Sequence, residues 1–163
     1  MTGSGTLLDP YIILTVNDLQ DMEDDLTAYY ELGADIDASA TSGWNAGAGF
    51  DPIGSVLLAT WFVGHLDGKG YTITDLFINR ATDAIGLFGQ IKLGVTIKDV
   101  HIRTCNITGG SFVGALVGYI YEPTLGIITI DTCSSTGSVT GYDYVGGLIG
   151  SDDQAGGGPS GPS

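Results

Sequence analysis

A pattern of residues returns after 32 positions, and a fixed period of this length constrains a fold more tightly than any single motif. Leu93-Gly94-Val95, Asp99, Thr108-Gly109 and Val113-Gly114-Ala115-Leu116-Val117-Gly118 reappear as Leu125-Gly126-Ile127, Asp131, Thr140-Gly141 and Val145-Gly146-Gly147-Leu148-Ile149-Gly150. Ten of the 26 aligned positions are identical, and others exchange one β-former for another, as Ile107 for Val139 and Phe112 for Tyr144. A shorter copy runs from Tyr71 through Asp75 to Ile85-Gly86-Leu87-Phe88-Gly89, with four fewer residues between its Asp and its first motif glycine. Three successive coils can be read directly.

Within each copy the β-formers come in short runs, such as Val100-His101-Ile102, broken by Gly or Thr-Gly. A unit of about 30 residues cannot bury its own apolar face, but stacked neighbours bury a continuous one. The expected fold is therefore all-β, a parallel β-solenoid. Gly86, Gly89, Gly114, Gly118, Gly146, Gly147 and Gly150 mark turns of the repeat, where the chain bends with positive φ or lets backbones approach closely. In the 32-residue phase Cys133 falls over His101 and Cys105 over Gly137, an offset of four residues or roughly 13 Å along a strand. That exceeds disulfide reach. A 28-residue match would stack the two cysteines, but the longer match outweighs it, so two free, mostly buried thiols are expected.

The two ends read differently. Leu19, Met22 and Leu26 share one helical face within Thr15–Leu26, and Thr15 with Asp18 forms a capping box in which Asp takes the usual place of Glu. Residues 1–14 read as an entry strand, 15–26 as a short helix covering the first coil, 27–150 as the solenoid and 151–163 as a Gly/Pro/Ser-rich tail or linker. The acidic run Asp21, Glu23, Asp24, Asp25 lacks the alternating spacing and central glycine of a calcium loop and reads as a solvated helix face. Neither a metal nor a cofactor is expected.

Five Lys and Arg against 19 Asp and Glu give a net charge of -14, which repels phosphate backbones and anionic lipid headgroups. Nucleic-acid binding and membrane insertion are thereby disfavoured. The longest apolar runs fall far short of the about 20 residues that span a bilayer. The chain reads as soluble, and its opening residues carry neither the basic nor the apolar region of a secretory signal. An exported parent protein would carry that signal outside this chain.

The motifs Val145 to Gly150, Val113 to Gly118 and the shortened Ile85 to Gly89 resemble the GLUG motif of exported bacterial and archaeal surface proteins, named for its Gly-Leu-aliphatic-Gly core. Upstream, Asp9-Pro10-Tyr11-Ile12-Ile13, Asp18-Leu19, Tyr30-Glu31-Leu32, Ala34 to Asp37, Pro52-Ile53-Gly54 and Phe62 to Ile73 resemble the entry segment before such repeats. Ala115 departs from the motif by replacing its second glycine, and the first copy lacks a residue there. The resemblance implies a right-handed parallel β-helix at the cell surface, with a non-catalytic role in adhesion or as a spacer.

Parallel β-helices also serve as polysaccharide lyases and hydrolases, a chemistry that needs converging polar groups. Asp99, His101 and Arg103 alternate along a stretch expected to point to one face, with Asp131 stacked near Asp99 as a carboxylate pair. No basic cluster gathers to stabilise an anionic sugar intermediate, and an outward solvated face is the plainer reading. His65 sits at an Asp67-Gly68 turn, and no zinc His-Glu-x-x-His pair, Gly-x-Ser-x-Gly elbow or phosphate-binding loop occurs. Asn106-Ile107-Thr108 is a glycosylation sequon suited to a surface loop. Tyr119, Tyr121, Tyr142 and Tyr144 are candidates for surface binding by ring stacking, Tyr119 and Tyr121 in an inter-coil loop, whereas Trp44 and Trp61 read as packing residues.

The expected function is that of a non-catalytic structural or adhesive module of an exported cell-surface or filament-forming protein. Its partners would be neighbouring repeats or a second copy, through the final coil, and surface glycans or proteins. The rival reading is a carbohydrate-binding or carbohydrate-active β-helix.

Overall fold

Runs of two to eight residues rich in β-formers become the short strands of a parallel β-solenoid of about four turns with one short helix. The computed structural model describes residues 1–122 and 126–154. An entry strand β1 (Tyr11–Ile13) leads into the helix α1 (Val16–Gln20) and a 3-10 turn over Asp21–Asp24. The first full turn holds β2 (Tyr29–Leu32) and β3 (Ile36–Asp37), and the next holds β4 (His65–Asp67), β5 (Thr72–Thr74), β6 (Phe77–Asn79) and β7 (Phe88–Lys92). The third contains β8 (Thr96–Lys98), β9 (His101–Thr108) and β10 (Val117–Glu122), and the fourth β11 (Thr129–Asp131), β12 (Ser134–Thr140) and β13 (Ile149–Gln154). Three parallel faces result: β1-β2-β4-β8-β11, then β3-β5-β9-β12 with β6 also on β9, and β7-β10-β13. Ile53 and Phe62 extend the third face by single parallel bridges to Phe88 and Ile91.

Alternation sends every second side chain inward, so like residues stack in columns through successive turns. Tyr30, Leu66 and Ile97 form one such column, Ile36, Ile73 and Ile102 a second, and Phe62, Ile91 and Ile120 a third. All nine are buried. Each turn alone would leave this stripe wet; stacking removes it from water at about 25 cal/mol per Å² of apolar surface.

The stacking register is one residue longer at the start of the last turn than the sequence repeat indicates. Ser134 pairs with His101 and Ser135 with Ile102, a step of 33 residues, whereas Gly137 pairs with Cys105 at the expected 32. An extra residue on β9 between these pairs absorbs the difference as a bulge. Cys133 therefore lies beyond Val100 rather than over His101. The longer step also sets Asp131 against Lys98, which already faces Asp67, instead of against Asp99. Lys98 thus stands between two carboxylates, Asp67 and Asp131, where the 32-residue register would have stacked two aspartates.

The helix is shorter than the twelve residues its periodicity suggests, because Asp21 onward tightens into the 3-10 turn. Its capping box forms as read, Thr15 accepting from the Asp18 amide while the Asp18 carboxylate accepts from the Thr15 amide. Leu19 and Met22 enter the core. The Gln20 side chain donates to the Asp51 carbonyl and accepts from the Asp51 amide, both at 2.9 Å, so that an amide side chain occupies the ladder position of a further strand. On the first face, the Ile12 amide donates to the Thr2 carbonyl in an antiparallel bridge that covers the edge of β1.

At the far end, β13 continues to Gln154, so residues 151–154 extend the third face rather than begin a tail. Residues 155–163, the rest of the expected tail, lie outside the described residues, as does Pro123 of the expected Tyr119–Pro123 loop. Tyr119 and Tyr121 themselves belong to β10, and Asn106 to β9 with an exposed side chain, so neither these two tyrosines nor the sequon sits in a loop.

The motif glycines act by close approach. None of Gly86, Gly89, Gly114, Gly118, Gly146, Gly147 and Gly150 has positive φ. That conformation falls two residues before the first motif glycine, at Ala84, Phe112 and Tyr144, with φ of 56°, 60° and 55°. A Cβ on Gly118 would meet the Ile85 amide nitrogen and, at 2.8 Å, the Gly89 carbonyl; one on Gly150 would lie 2.6 Å from the Gly118 carbonyl. Gly147 differs, with open space where its Cβ would be.

Candidate functional site

Outward positions of the first face gather polar and aromatic groups from three turns. Tyr29, His65 and Thr96 occupy one outward column and Glu31, Asp67 and Lys98 the next. The Tyr29 and His65 rings stack with centroids 4.2 Å apart and planes 16° from parallel. With Leu7 and Pro10 of the N-terminal segment as a wall, these residues line a groove of about 380 Å³.

The charges in the groove are paired. Lys98 Nζ lies 3.0 Å from an Asp67 carboxylate oxygen, and Lys69 reaches Glu31 at 3.3 Å and Asp67 at 3.6 Å. Burial resists ionisation of Asp67, but the Lys69 amide and the Lys98 ammonium outweigh it and hold the carboxyl below its ordinary range. Burial also lowers the His65 pKa, which favours the neutral imidazole. His65 is the first residue of β4, and the turn expected at Asp67-Gly68 comes two residues later, at Lys69 and Gly70. The alternations Tyr29-x-Glu31, His65-x-Asp67 and Thr96-x-Lys98 were visible, but their alignment across turns was not, because the first turns are irregular in length.

A second set of rings runs along the third face. Trp61 stacks on Tyr121 at 4.9 Å, Tyr121 lies 6.4 Å from Tyr119, Tyr119 5.2 Å from Phe112, and Phe112 stacks on Tyr144 at 5.1 Å. Three of the four expected tyrosines thus come together, joined by Phe112 and Trp61. Trp61 is half-buried in this row, packing on Tyr121. Tyr142 stands apart, 84% exposed. Most ring faces in the row are spent on one another, which leaves the outer side of Tyr144 as its most open surface.

The polar triplet of the second face does not converge. Asp99 is a corner residue with φ of 53° rather than part of a strand, while His101 and Arg103 lie on the outside of β9. His101 Nδ1 is 2.9 Å from Ser134 Oγ. Asp131 gives Asp99 a backbone contact only, its carbonyl accepting from the Asp99 amide. Cys105 and Cys133 are free thiols, and burial raises both pKa values. Among the described residues no group of His, Cys, Asp and Glu could hold a metal, and no helix is long and apolar enough to cross a membrane.

No protein-family profile matches the chain, and no solved structure matches it. Among curated proteins it is similar to halomucin of Haloquadratum walsbyi, 43% identical over 124 aligned positions that cover 72% of this chain and 1% of halomucin. It is also similar to a protein of Evansella cellulosilytica described as a Gly-rich membrane protein, 38% identical over 126 positions that cover 73% of this chain and 14% of that protein. The chain spans a small fraction of the length of each of these relatives.

Proposed function

We propose that this chain is a non-catalytic structural and adhesive module of an exported cell-surface or filament-forming protein, a GLUG-type repeat unit that works by stacking and by surface contacts. The observation that carries this reading is the way its last turn ends. All three faces stop on the same turn, at β11, β12 and β13, with their outer edges unpaired by any further strand among the described residues. The inward columns are half-open there: Ile85 and Val113 are 2% and 0% exposed, but Val145, next in their column, is 43% exposed. Ile128, Ile130, Val139, Leu148 and Ile149 are likewise only partly buried. A further turn, from a neighbouring repeat or a second copy, completes both the backbone ladders and the apolar columns.

Similarity to small parts of much longer proteins supports the same reading, since a solenoid unit is used in series. Localisation at the cell surface accords with the second relative's description as a membrane protein. Paired carboxylates and the dispersed Asp99, His101 and Arg103 support a binding rather than a catalytic surface. Light scattering and electron microscopy of the purified chain over a concentration series test the stacking. Dimers or filaments that dissolve on Val145→Lys are expected. A strict monomer at high concentration with an ordered last turn overturns the reading.

A further inference from the structure

We propose that the groove on the first face binds a neutral glycan, one sugar ring packing on the His65 imidazole beside Thr96. In the outward column Tyr29–His65–Thr96, two stacked rings are followed by a small side chain, so the side of the imidazole away from Tyr29 opens onto the groove. The next stacking place is the size of one ring, and the apolar C–H face of a pyranose suits a π-surface. Leu7 and Pro10 supply the apolar wall. The volume of about 380 Å³ lies within the roughly 300–1,000 Å³ of small-molecule sites.

The electrostatics select the ligand class. An anion meets Glu31 and Asp67 on a chain of net charge -14. A cation finds both carboxylates already engaged by Lys69 and Lys98. A wholly apolar ligand would strip water from Glu31, Asp67 and Lys98 without replacing its hydrogen bonds. A neutral polyhydroxylated ring offers donors to the spare lone pairs of Glu31 and Asp67 and acceptors to Lys98 and Thr96. The site gives the surface-contact part of the proposed function a ligand class, and it is independent of stacking through the last turn.

Calorimetry and amide chemical-shift mapping with cellotetraose, mannotetraose and chitotetraose as neutral probes, and a hyaluronan tetrasaccharide as the anionic one, test the site. At least one neutral probe is expected to bind and to shift the amides of residues 29–31, 65–67 and 96–98 in the unaltered protein. Thr96→Tyr, which fills the stacking place on an outward strand position, is expected to weaken binding at least tenfold, about 1.4 kcal/mol, and Tyr121→Ala on the third face to leave it unchanged. Binding lost with Tyr121→Ala but kept with Thr96→Tyr overturns the site. Preference for hyaluronan, or no shift with any probe at millimolar concentration, overturns it equally. Light scattering of Thr96→Tyr is expected to match the unaltered chain, so failure of the site and failure of stacking remain distinct.

Discussion

Phe112 and Tyr144 hold the same place in consecutive turns, both with left-handed backbone (φ of 60° and 55°) and with rings stacked at 5.1 Å and 20°. Bulky side chains rarely adopt this conformation, which costs roughly 1–2 kcal/mol. Here the ring contacts along the row offset that cost. Phe112→Gly relaxes the backbone yet removes the contacts to Tyr119 and Tyr144, so it is expected to lower stability by about 1–3 kcal/mol. Urea unfolding measures the change; a more stable variant would show that the corner is merely strained.

Gly118 and Gly147 belong to the same motif but should respond oppositely to an added methyl group. At Gly118 the new Cβ meets the Ile85 amide and the Gly89 carbonyl, and Gly118→Ala is expected to cost about 1–3 kcal/mol. Nothing lies within 4 Å at Gly147, so Gly147→Ala should stay within about 0.5 kcal/mol of the unaltered chain. Melting temperatures of the two variants decide it.

Ile97 and Ile130 occupy one inward column, one in the middle of the stack and one in its last turn. Ile97→Ala leaves a cavity among fully buried neighbours and is expected to cost about 2–5 kcal/mol. Ile130 is only partly buried, so Ile130→Ala should cost about half as much or less. Equal losses in denaturant titrations would mean that the last turn is covered in solution.

Asp67 makes stability depend on acid. Its folded-state pKa lies below its unfolded value, so the unfolded chain binds the proton more readily and stability rises with pH. The contribution is complete above about pH 4, the ordinary aspartate range, and disappears as pH falls through the depressed folded value. Asp67→Asn should cost up to about 1 kcal/mol at pH 7, as for an exposed ion pair, and flatten the loss of melting temperature between pH 5 and pH 2. Parallel pH profiles for the two proteins would remove Asp67 from the account.

The sequence alone determined the stacking of turns, because a 32-residue period with glycine at constant phase leaves few ways to bury so many β-formers. It also determined the capping box of Thr15 and Asp18, which depends on local spacing. Tertiary structure decided the rest. The 33-residue step that sets Asp131 on Lys98 also sets Ile130 on Ile97 in the inward column, a pairing that a one-residue slip would turn outward, whereas the repeat itself points to 32. The role of the motif glycines came from a backbone packed across the coil, whereas the left-handed residues proved to be Phe112 and Tyr144, whose rings no local rule would place there. The groove arose from residues 29, 65 and 96, in turns of unequal length, so their common column exists only once the chain has wound back upon itself.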